Sequence, residues 1–235
     1  MNREHTSGQW FFAGRIEGDE YVFDTFESGH LVKVLRKREG DPIVLTDGKG
    51  RVYEAVITAA HPRKTVVRIT GTRLLPPPER RLHVFMAPTK NMDRFEWFLE
   101  KATELGVWEI TPLITRNTGR KKLNYDRLEK IIVSAVKQSK RAYKPVLYPA
   151  ITWKNIPWES HRFFAALCEA DRYRNKDYAQ ARRAAVIVGP EGGFAPDERE
   201  ELQQRNIPAI RLSAYRLRAE TAGITAVCRF YCNDS

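Results

Sequence analysis

The sequence predicts an α/β protein with two domains, a small β-barrel followed by a larger domain built on a mainly parallel sheet. Three observations lead to this prediction. Short β-type runs occupy the first third of the chain, a proline run follows them, and strands then alternate with helices. A chain of 235 residues with 42% hydrophobic residues is long enough to bury a core in each domain.

The N-terminal domain is predicted from five short apolar runs. Gly-Asp, Asp-Gly-Lys-Gly and His-Pro-Arg-Lys turns separate them. Short strands at such even spacing are typical of a small barrel. The predicted strands are residues 10–13, 21–23, 43–45, 52–58 and 65–69, and the domain spans residues 1–75.

A proline run marks the boundary between the domains. Pro76, Pro77 and Pro78 favour an extended conformation and cannot continue a strand ladder, so the second domain spans residues 76–235. Apolar residues recur at helical spacing up to Leu105, and Gly106 is suited to end that helix. The predicted strands are residues 82–87, 107–113, 162–168, 184–188 and 209–212, and the predicted helices are residues 92–105 and 125–141.

A glycine-rich loop directly follows the apolar strand 184–188 and reads Gly189-Pro190-Glu191-Gly192-Gly193-Phe194. Glycines here let the backbone turn at positive φ and let a ligand reach main-chain N–H groups. Because ligands of open parallel sheets bind outside the carboxyl ends of the strands, this loop and the end of strand 209–212 are predicted to form a ligand site. The loop lacks the lysine and hydroxyl residue of a P-loop, which argues against a nucleotide hydrolase.

The charge distribution indicates a polyanionic partner. The net charge is +11, and residues 116–144 contain ten basic and two acidic side chains. Such a run is either a solvated helix face or a surface that follows phosphates, and the interleaved Tyr125 and Tyr143 favour the second interpretation. The residues of this run that are predicted to contact the phosphates are Lys121, Lys122, Lys140 and Arg141.

Composition argues against several other classes of protein. No apolar run approaches the roughly 18 residues of a membrane helix, and the first residues lack a secretion signal, so a cytoplasmic location is expected. The three cysteines form no Cys-x-x-Cys pair, and the five histidines are scattered without the spacing of metal ligands. The sequence therefore predicts neither a metal nor a disulfide framework.

Four motifs, in order, resemble one known family. They are His30–Arg36 with Gly40-Asp41, Lys101–Val107 followed by Pro112, the glycine loop, and Leu217-Arg218 with Glu220-Thr221-Ala222. Together they resemble the ribosomal RNA small subunit methyltransferase E family of the SPOUT class. The similarity covers essentially the whole chain.

The resemblance implies a specific reaction and architecture. It implies a cytoplasmic enzyme that uses S-adenosyl-L-methionine to methylate N3 of one uridine in 16S ribosomal RNA of the small subunit. It also implies an N-terminal PUA-like RNA-binding barrel, a C-terminal SPOUT domain with a trefoil knot, and a homodimer. Because N3 lies on the pairing edge of uracil, the base must be unpaired or flipped.

The resemblance also implies roles for individual residues. Arg218 is expected to hold the uracil oxygens or contact a phosphate, and Glu220 to accept the proton or stabilise a helix N-terminus. His30, Lys33 and Arg36 are expected to contact RNA. The residues expected to bind the cofactor, mainly through backbone groups, are Leu167, Gly189, Pro190, Gly192, Gly193, Leu212, Ser213 and Leu217.

Two departures from the family pattern leave an alternative open. Ser213 and Tyr215 occupy places where the family usually has glycine and arginine. If these changes abolish cofactor binding, the chain is an RNA-binding or ribosome-assembly factor with the same fold and no turnover.

Overall fold

The computed structural model describes residues 8–14 and 16–232, which divide into two compact units. The first contains the chain up to Pro77 together with Val136–Lys144, and the second contains Pro78–Ala135 and the chain from Pro145 onward. Within the described ranges, no helix combines the length and apolar character needed to cross a membrane.

The first unit is built on a five-stranded sheet in the order β1-β3-β4-β5-β2. Strand β1 runs parallel to β3, and the other neighbours are antiparallel. Register shifts between β4 and β5 bend the sheet, which forms a half-barrel around a core of Phe11, Leu31, Leu45, Ile57 and Val67. The strands are β1 (Trp10–Phe12), β2 (Glu20–Val22), β3 (Pro42–Thr46), β4 (Arg51–Ala59) and β5 (Val66–Leu74).

A helical segment that the sequence did not predict connects β2 to β3. Helix α1 (Thr25–Gly29) begins after Asp24, whose side chain accepts a hydrogen bond from Glu27 N at 2.8 Å. The segment continues as a π-helical turn, His30–Val34. Leu31 is fully buried and holds this turn against the core.

The segment Val136–Lys144 belongs to the first unit although it lies far along the chain. Gly50 N donates a hydrogen bond to Ala142 O at 2.9 Å, and the Tyr143 hydroxyl donates to Leu75 O at 2.8 Å. Gly50 has a φ of 103°, and any side chain there would collide with the Tyr143 ring. The tight turn between β3 and β4 therefore packs against this distant segment and is hydrogen-bonded to it.

The second unit contains a parallel sheet in the order β12-β10-β11-β6-β7-β8, and β9 also pairs with β7. Every pairing between its strands is parallel, which confirms the mainly parallel sheet. The strands are β6 (Arg81–Met86), β7 (Glu109–Ile114), β8 (Val146–Leu147), β9 (Ile151–Thr152), β10 (Phe163–Ala166), β11 (Arg183–Val188) and β12 (Ala209–Ile210).

Between Pro78 and residue 232, the last one described, there are five helices of more than one turn. They are α2 (Met92–Leu105), α3 (Tyr125–Gln138), α4 (Asn175–Gln180), α5 (Pro196–Gln204) and α6 (Ala219–Tyr231). Helix α2 has the predicted bounds, and Gly106 ends it in the left-handed conformation at φ 106°. Helix α3 is shorter than predicted because the chain turns at Lys140, where φ is 53°. Helices α4 and α5 were not predicted.

Helix α6 approaches the sheet and α2 closely because it carries Gly223. A Cβ at this position would lie 2.7 Å from the Phe98 ring and 2.9 Å from Met86 Sδ. On α4, the buried Tyr178 donates its hydroxyl hydrogen to Ala226 O of α6 at 2.9 Å. Helix α6 is thus fixed by α2, α4 and the strand that carries Met86.

Candidate active site

The strand order creates a crevice between β6 and β11. These strands are neighbours, but the chain continues from β6 to β7 on one side and from β11 past β10 to β12 on the other. The loops at their carboxyl ends therefore diverge, as at the ligand-binding switch points of open α/β sheets. One hydrogen bond joins the two loops across the crevice, because Lys90 N donates to Glu191 Oε1 at 3.0 Å.

The glycine loop is a tight turn, and at most of its glycines the structure shows why a larger residue would not fit. Gly193 has a φ of 72°, and its N–H donates to Pro190 O at 2.8 Å. A Cβ on Gly189 would lie 3.1 Å from the ring of Phe194, which is buried in the core. A Cβ on Gly192 would meet Asn117 Cβ at 3.4 Å. The loop therefore exposes main-chain groups that larger residues would cover.

A buried carboxylate positions this loop. Glu198, which is 4% exposed, accepts hydrogen bonds at 2.8 Å from Ala195 N and from Arg116 N. Asn117 Nδ2 then donates to Gly193 O at 3.1 Å. The loop after β7 and the start of α5 are thus tied together beside the glycines. Sequence reasoning missed Glu198, although an acidic residue two places after Pro196 is a helix-start signal.

The last loop, between β12 and α6, is held by polar groups of α4 and by its own side chains. The Asn175 side chain accepts from Arg211 N at 2.8 Å and donates to Arg211 O at 2.9 Å. Tyr215 N donates to Ser213 Oγ at 3.1 Å, so Ser213 closes a local turn. Arg216 Nη2 donates to Glu191 O at 3.2 Å, which connects the last loop to the glycine loop.

Unused backbone donors remain between these loops. In the part of the chain that the structure describes, neither Gly192 N nor Leu212 N has a hydrogen-bond acceptor. Leu167 N donates to Ile210 O at 3.2 Å, so only the carbonyl and side chain of Leu167 remain for a ligand. A cleft of about 920 Å³ opens beside Leu167 and the loop that follows it.

The structure places Arg218 and Glu220 at the start of α6. Arg218 is exposed, and Ala222 N donates to its carbonyl at 2.8 Å in the first turn. Glu220 is 7% exposed, and its Oε1 lies 3.7 Å from Arg94 Nε. Glu220 Oε2 is buried without a hydrogen-bond partner among the described residues. Such an orphan acceptor is unusual in a folded protein.

The predicted RNA-contacting residues are spread over both units. Lys121 and Lys122 are exposed in the second unit, whereas Lys140 and Arg141 lie in the segment that belongs to the first. His30, Lys33 and Arg36 lie on or next to the π-helical turn, and the latter two are exposed.

Some of the basic residues in 116–144 are already paired within the protein. Arg116 pairs with Asp197, Arg127 with Glu96, and Lys137 with Glu27. The net charge of the run therefore overstates the charge that it offers to a partner.

Two family models match the chain. An RNA methyltransferase domain matches residues 76–230, and an RNA methyltransferase PUA domain matches residues 27–70. The ribosomal RNA small subunit methyltransferase E of Rickettsia conorii is 32% identical over 85% of this chain and 84% of its own length.

Solved structures show the same fold. A probable rRNA methyltransferase of Porphyromonas gingivalis is 33% identical with a TM-score of 0.85, over 95% of this chain and 98% of its own. A ribosomal RNA small subunit methyltransferase E of Neisseria gonorrhoeae, bound to S-adenosyl methionine, is 23% identical with a TM-score of 0.79, over 94% and 95%. Matches of this extent, on a crevice built from the predicted loops, establish that the chain belongs to the ribosomal RNA small subunit methyltransferase E family of RNA methyltransferases.

Proposed function

We infer that this protein is an S-adenosyl-L-methionine-dependent methyltransferase that methylates N3 of one uridine in 16S ribosomal RNA of the small subunit. The observation that carries the proposal is the joining of the glycine loop to the last loop at the β6/β11 crevice, through Arg216 and Glu191. Membership of a family with this activity in its name supports the substrate class.

The crevice fits the cofactor. Adenine and ribose present hydrogen-bond acceptors, and Gly192 N and Leu212 N offer donors without acceptors of their own in the described residues. When bound, S-adenosyl-L-methionine supplies a methyl group on a positively charged sulfur. The residues that would hold it are Leu167, Gly189, Pro190, Gly192, Gly193, Leu212, Ser213 and Leu217. Ser213 would contribute its N–H, because its side chain accepts from Tyr215 N and its carbonyl accepts from Arg211 Nε at 3.1 Å.

Arg218 and Glu220 are the proposed catalytic residues. The N3 proton of uracil must leave before or during methyl transfer. Glu220 Oε2, which has no hydrogen-bond partner among the described residues, can accept it. Arg94 is close enough to orient the same carboxylate. The exposed guanidinium of Arg218 can donate to the uracil oxygens, where negative charge develops as the proton leaves. Glu220 also lies in the first turn of α6, where a carboxylate stabilises the helix.

The two domains are proposed to have different functions, RNA binding and catalysis. Residues 1–75 are proposed as a PUA-like RNA-binding domain that presents His30, Lys33 and Arg36, and Val136–Lys144 complete its compact unit. Residues 76–235 are otherwise proposed as a SPOUT catalytic domain with a trefoil knot. The enzyme is proposed to act in the cytoplasm as a homodimer on RNA within the small subunit. Gel filtration tests the dimer, and a monomer at micromolar concentration would contradict it.

Lys121, Lys122, Lys140 and Arg141 are proposed to contact RNA phosphates. Each neutralised contact should reduce the slope of log affinity against log salt by about 0.7 for single-stranded RNA. Arg127→Gln is the matched control, because Arg127 already pairs with Glu96. A slope that is unchanged by Lys121→Gln and Lys122→Gln would make this stretch a solvated surface.

The proposed reaction is tested with labelled S-adenosyl-L-methionine and small ribosomal subunits that lack the modification. Methyl at N3 blocks the pairing edge, so reverse transcription should stop at one uridine only after incubation with the enzyme. Tight RNA binding without incorporation would instead indicate a noncatalytic binding factor.

A further inference from the structure

Three side chains converge at the end of the second unit's sheet opposite the crevice. His83 lies on β6, Glu109 begins β7, and His161 precedes β10. Glu109 Oε2 lies 3.5 Å from His83 Nδ1 and 3.8 Å from His161 Nε2. One ligand-capable atom from each residue lies within 4.8 Å of the others. Nothing in the proposed methyl transfer uses this cluster.

The opposite atom of each side chain has its own partner. His83 Nε2 is 2.7 Å from the Thr111 hydroxyl, and His161 Nδ1 is 2.6 Å from the Ser160 hydroxyl. The Tyr148 hydroxyl donates to Glu109 Oε1 at 3.1 Å. Hydrogen bonds of this kind orient histidine and carboxylate ligands in metal sites, because they fix which atom faces inward.

The inward atom of His83 lacks a hydrogen bond. His83 is 6% exposed and stacks on Phe85 with ring centroids 4.1 Å apart. Its Nδ1 is buried without a hydrogen-bond partner in the described part of the chain. A buried polar atom left in this way costs about 1–3 kcal/mol, so its orientation toward Glu109 and His161 requires an explanation.

We propose that His83, Glu109 and His161 bind a divalent transition-metal ion of the zinc type, a property that goes beyond the proposed methyltransferase function. Zinc bonds of about 2.0–2.2 Å in a tetrahedral arrangement place ligand atoms roughly 3.3–3.6 Å apart, close to the 3.5 and 3.8 Å observed. Two imidazoles favour zinc over magnesium or calcium, which take oxygen ligands.

The geometry leaves the fourth coordination position to water. The side chains of His161 and Glu109 are 26% and 21% exposed, so an ion can enter from solvent. A bound ion would join β6, β7 and the segment before β10. The sequence did not suggest this site, because its ligands come from three separate elements and show no local spacing.

The test is zinc binding by the untagged full chain, measured in competition with a chromogenic chelator. One Zn²⁺ should bind per chain, and Co²⁺ in its place should give intense tetrahedral visible absorption. Glu109→Gln and His161→Gln should each weaken zinc binding by more than about 100-fold, and Ser160→Ala by about 10-fold. His61→Gln is the control, because His61 is an exposed histidine outside the cluster.

Two results would overturn the proposal. One is that the wild-type protein binds no zinc, or binds Co²⁺ without giving the tetrahedral spectrum. This result can be interpreted without any variant. The other is a zinc affinity that Glu109→Gln and His161→Gln do not change, or that His61→Gln lowers by the same factor. In either case, zinc would be bound by adventitious surface histidines. Zinc should also raise the melting temperature of the wild type but not of a folded Glu109→Gln variant.

Discussion

The two ends of the second unit's sheet are built in opposite ways. At the carboxyl end, the proposed cofactor-binding groups are mainly backbone groups on loops whose shape depends on Gly189 and Gly193. At the amino end, the proposed metal ligands are the side chains of His83, Glu109 and His161, which hydroxyl groups hold in place. A glycine loop can be recognised from a local sequence pattern, whereas side chains that strand order brings together show no such pattern. A change at the carboxyl end should therefore affect ligand binding and turnover, whereas a change at the amino end should affect stability and leave turnover unchanged.

The largest expected effect is at the carboxyl end. Arg218→Ala should lower the rate constant of methyl transfer by about 10²–10³-fold, the usual effect of removing one donor to developing negative charge. Cofactor affinity should change little, because Arg218 is proposed to contact the uracil and not the cofactor. Single-turnover kinetics and calorimetric titration separate the two quantities.

Arg216→Gln is the matched control for Arg218. It removes the hydrogen bond to Glu191 O, so it should weaken cofactor binding by roughly fivefold, as expected for about 1 kcal/mol. Equal losses of rate and cofactor affinity in Arg218→Ala would contradict its assignment to the base.

The second effect is at the amino end and depends on pH. Burial lowers the pKa of His83 from 6.5 to about 4, against the opposing effect of Glu109 and with a smaller contribution from His161. The unfolded chain therefore binds a proton that the folded chain does not between these pH values. The free energy of unfolding should fall by about 3 kcal/mol as the pH falls from 6.5 to 4.

Urea denaturation in the presence of a chelator, at several pH values, measures this loss. The neighbouring His161 imidazole lowers the pKa of Glu109, so Glu109 adds a loss of stability at still lower pH. His83→Gln retains a partner for Thr111 but does not titrate, and its stability should depend less on pH over this window. An equally steep dependence in His83→Gln would place the titrating group elsewhere.

The smallest effect concerns the scaffold of the crevice. Glu198→Gln replaces one of two oxygens that accept from Ala195 N and Arg116 N, so one buried N–H loses its acceptor. The free energy of unfolding should fall by about 1–3 kcal/mol, and cofactor binding should weaken with it. Glu200→Gln on the exposed face of α5 is the control. Similar stability of the two variants would show that Glu198 does not hold the loops.

Most of the strands and helix α2 could be predicted because their signals are local. Helix α2 has apolar residues at helical spacing and Gly106 at its end. Helix α5 was missed because its buried residues, Glu198 and Leu202, give only a weak apolar stripe. The π-helical turn after α1 was missed because one buried residue, Leu31, holds it.

The candidate site could be predicted only in part. The glycine loop was visible because its glycines follow an apolar strand. The pairing of β6 with β11 could not be predicted, because strands about 100 residues apart in the chain give no local signal that they pair. The roles of Asn117 and Arg94 depend on that adjacency and on helix packing, so no spacing rule could identify them.

The segment Val136–Lys144 also affects how the protein can mature during synthesis. The part that completes the first unit emerges from the ribosome up to 67 residues after Pro77. At 5–20 residues per second, this is a delay of roughly 3–13 s. Until then the turn around Gly50 lacks the residues that bond to it. A fragment that ends at Pro77 should therefore be an incomplete domain. Adding residues 136–144 as a separate peptide should restore its fold by complementation.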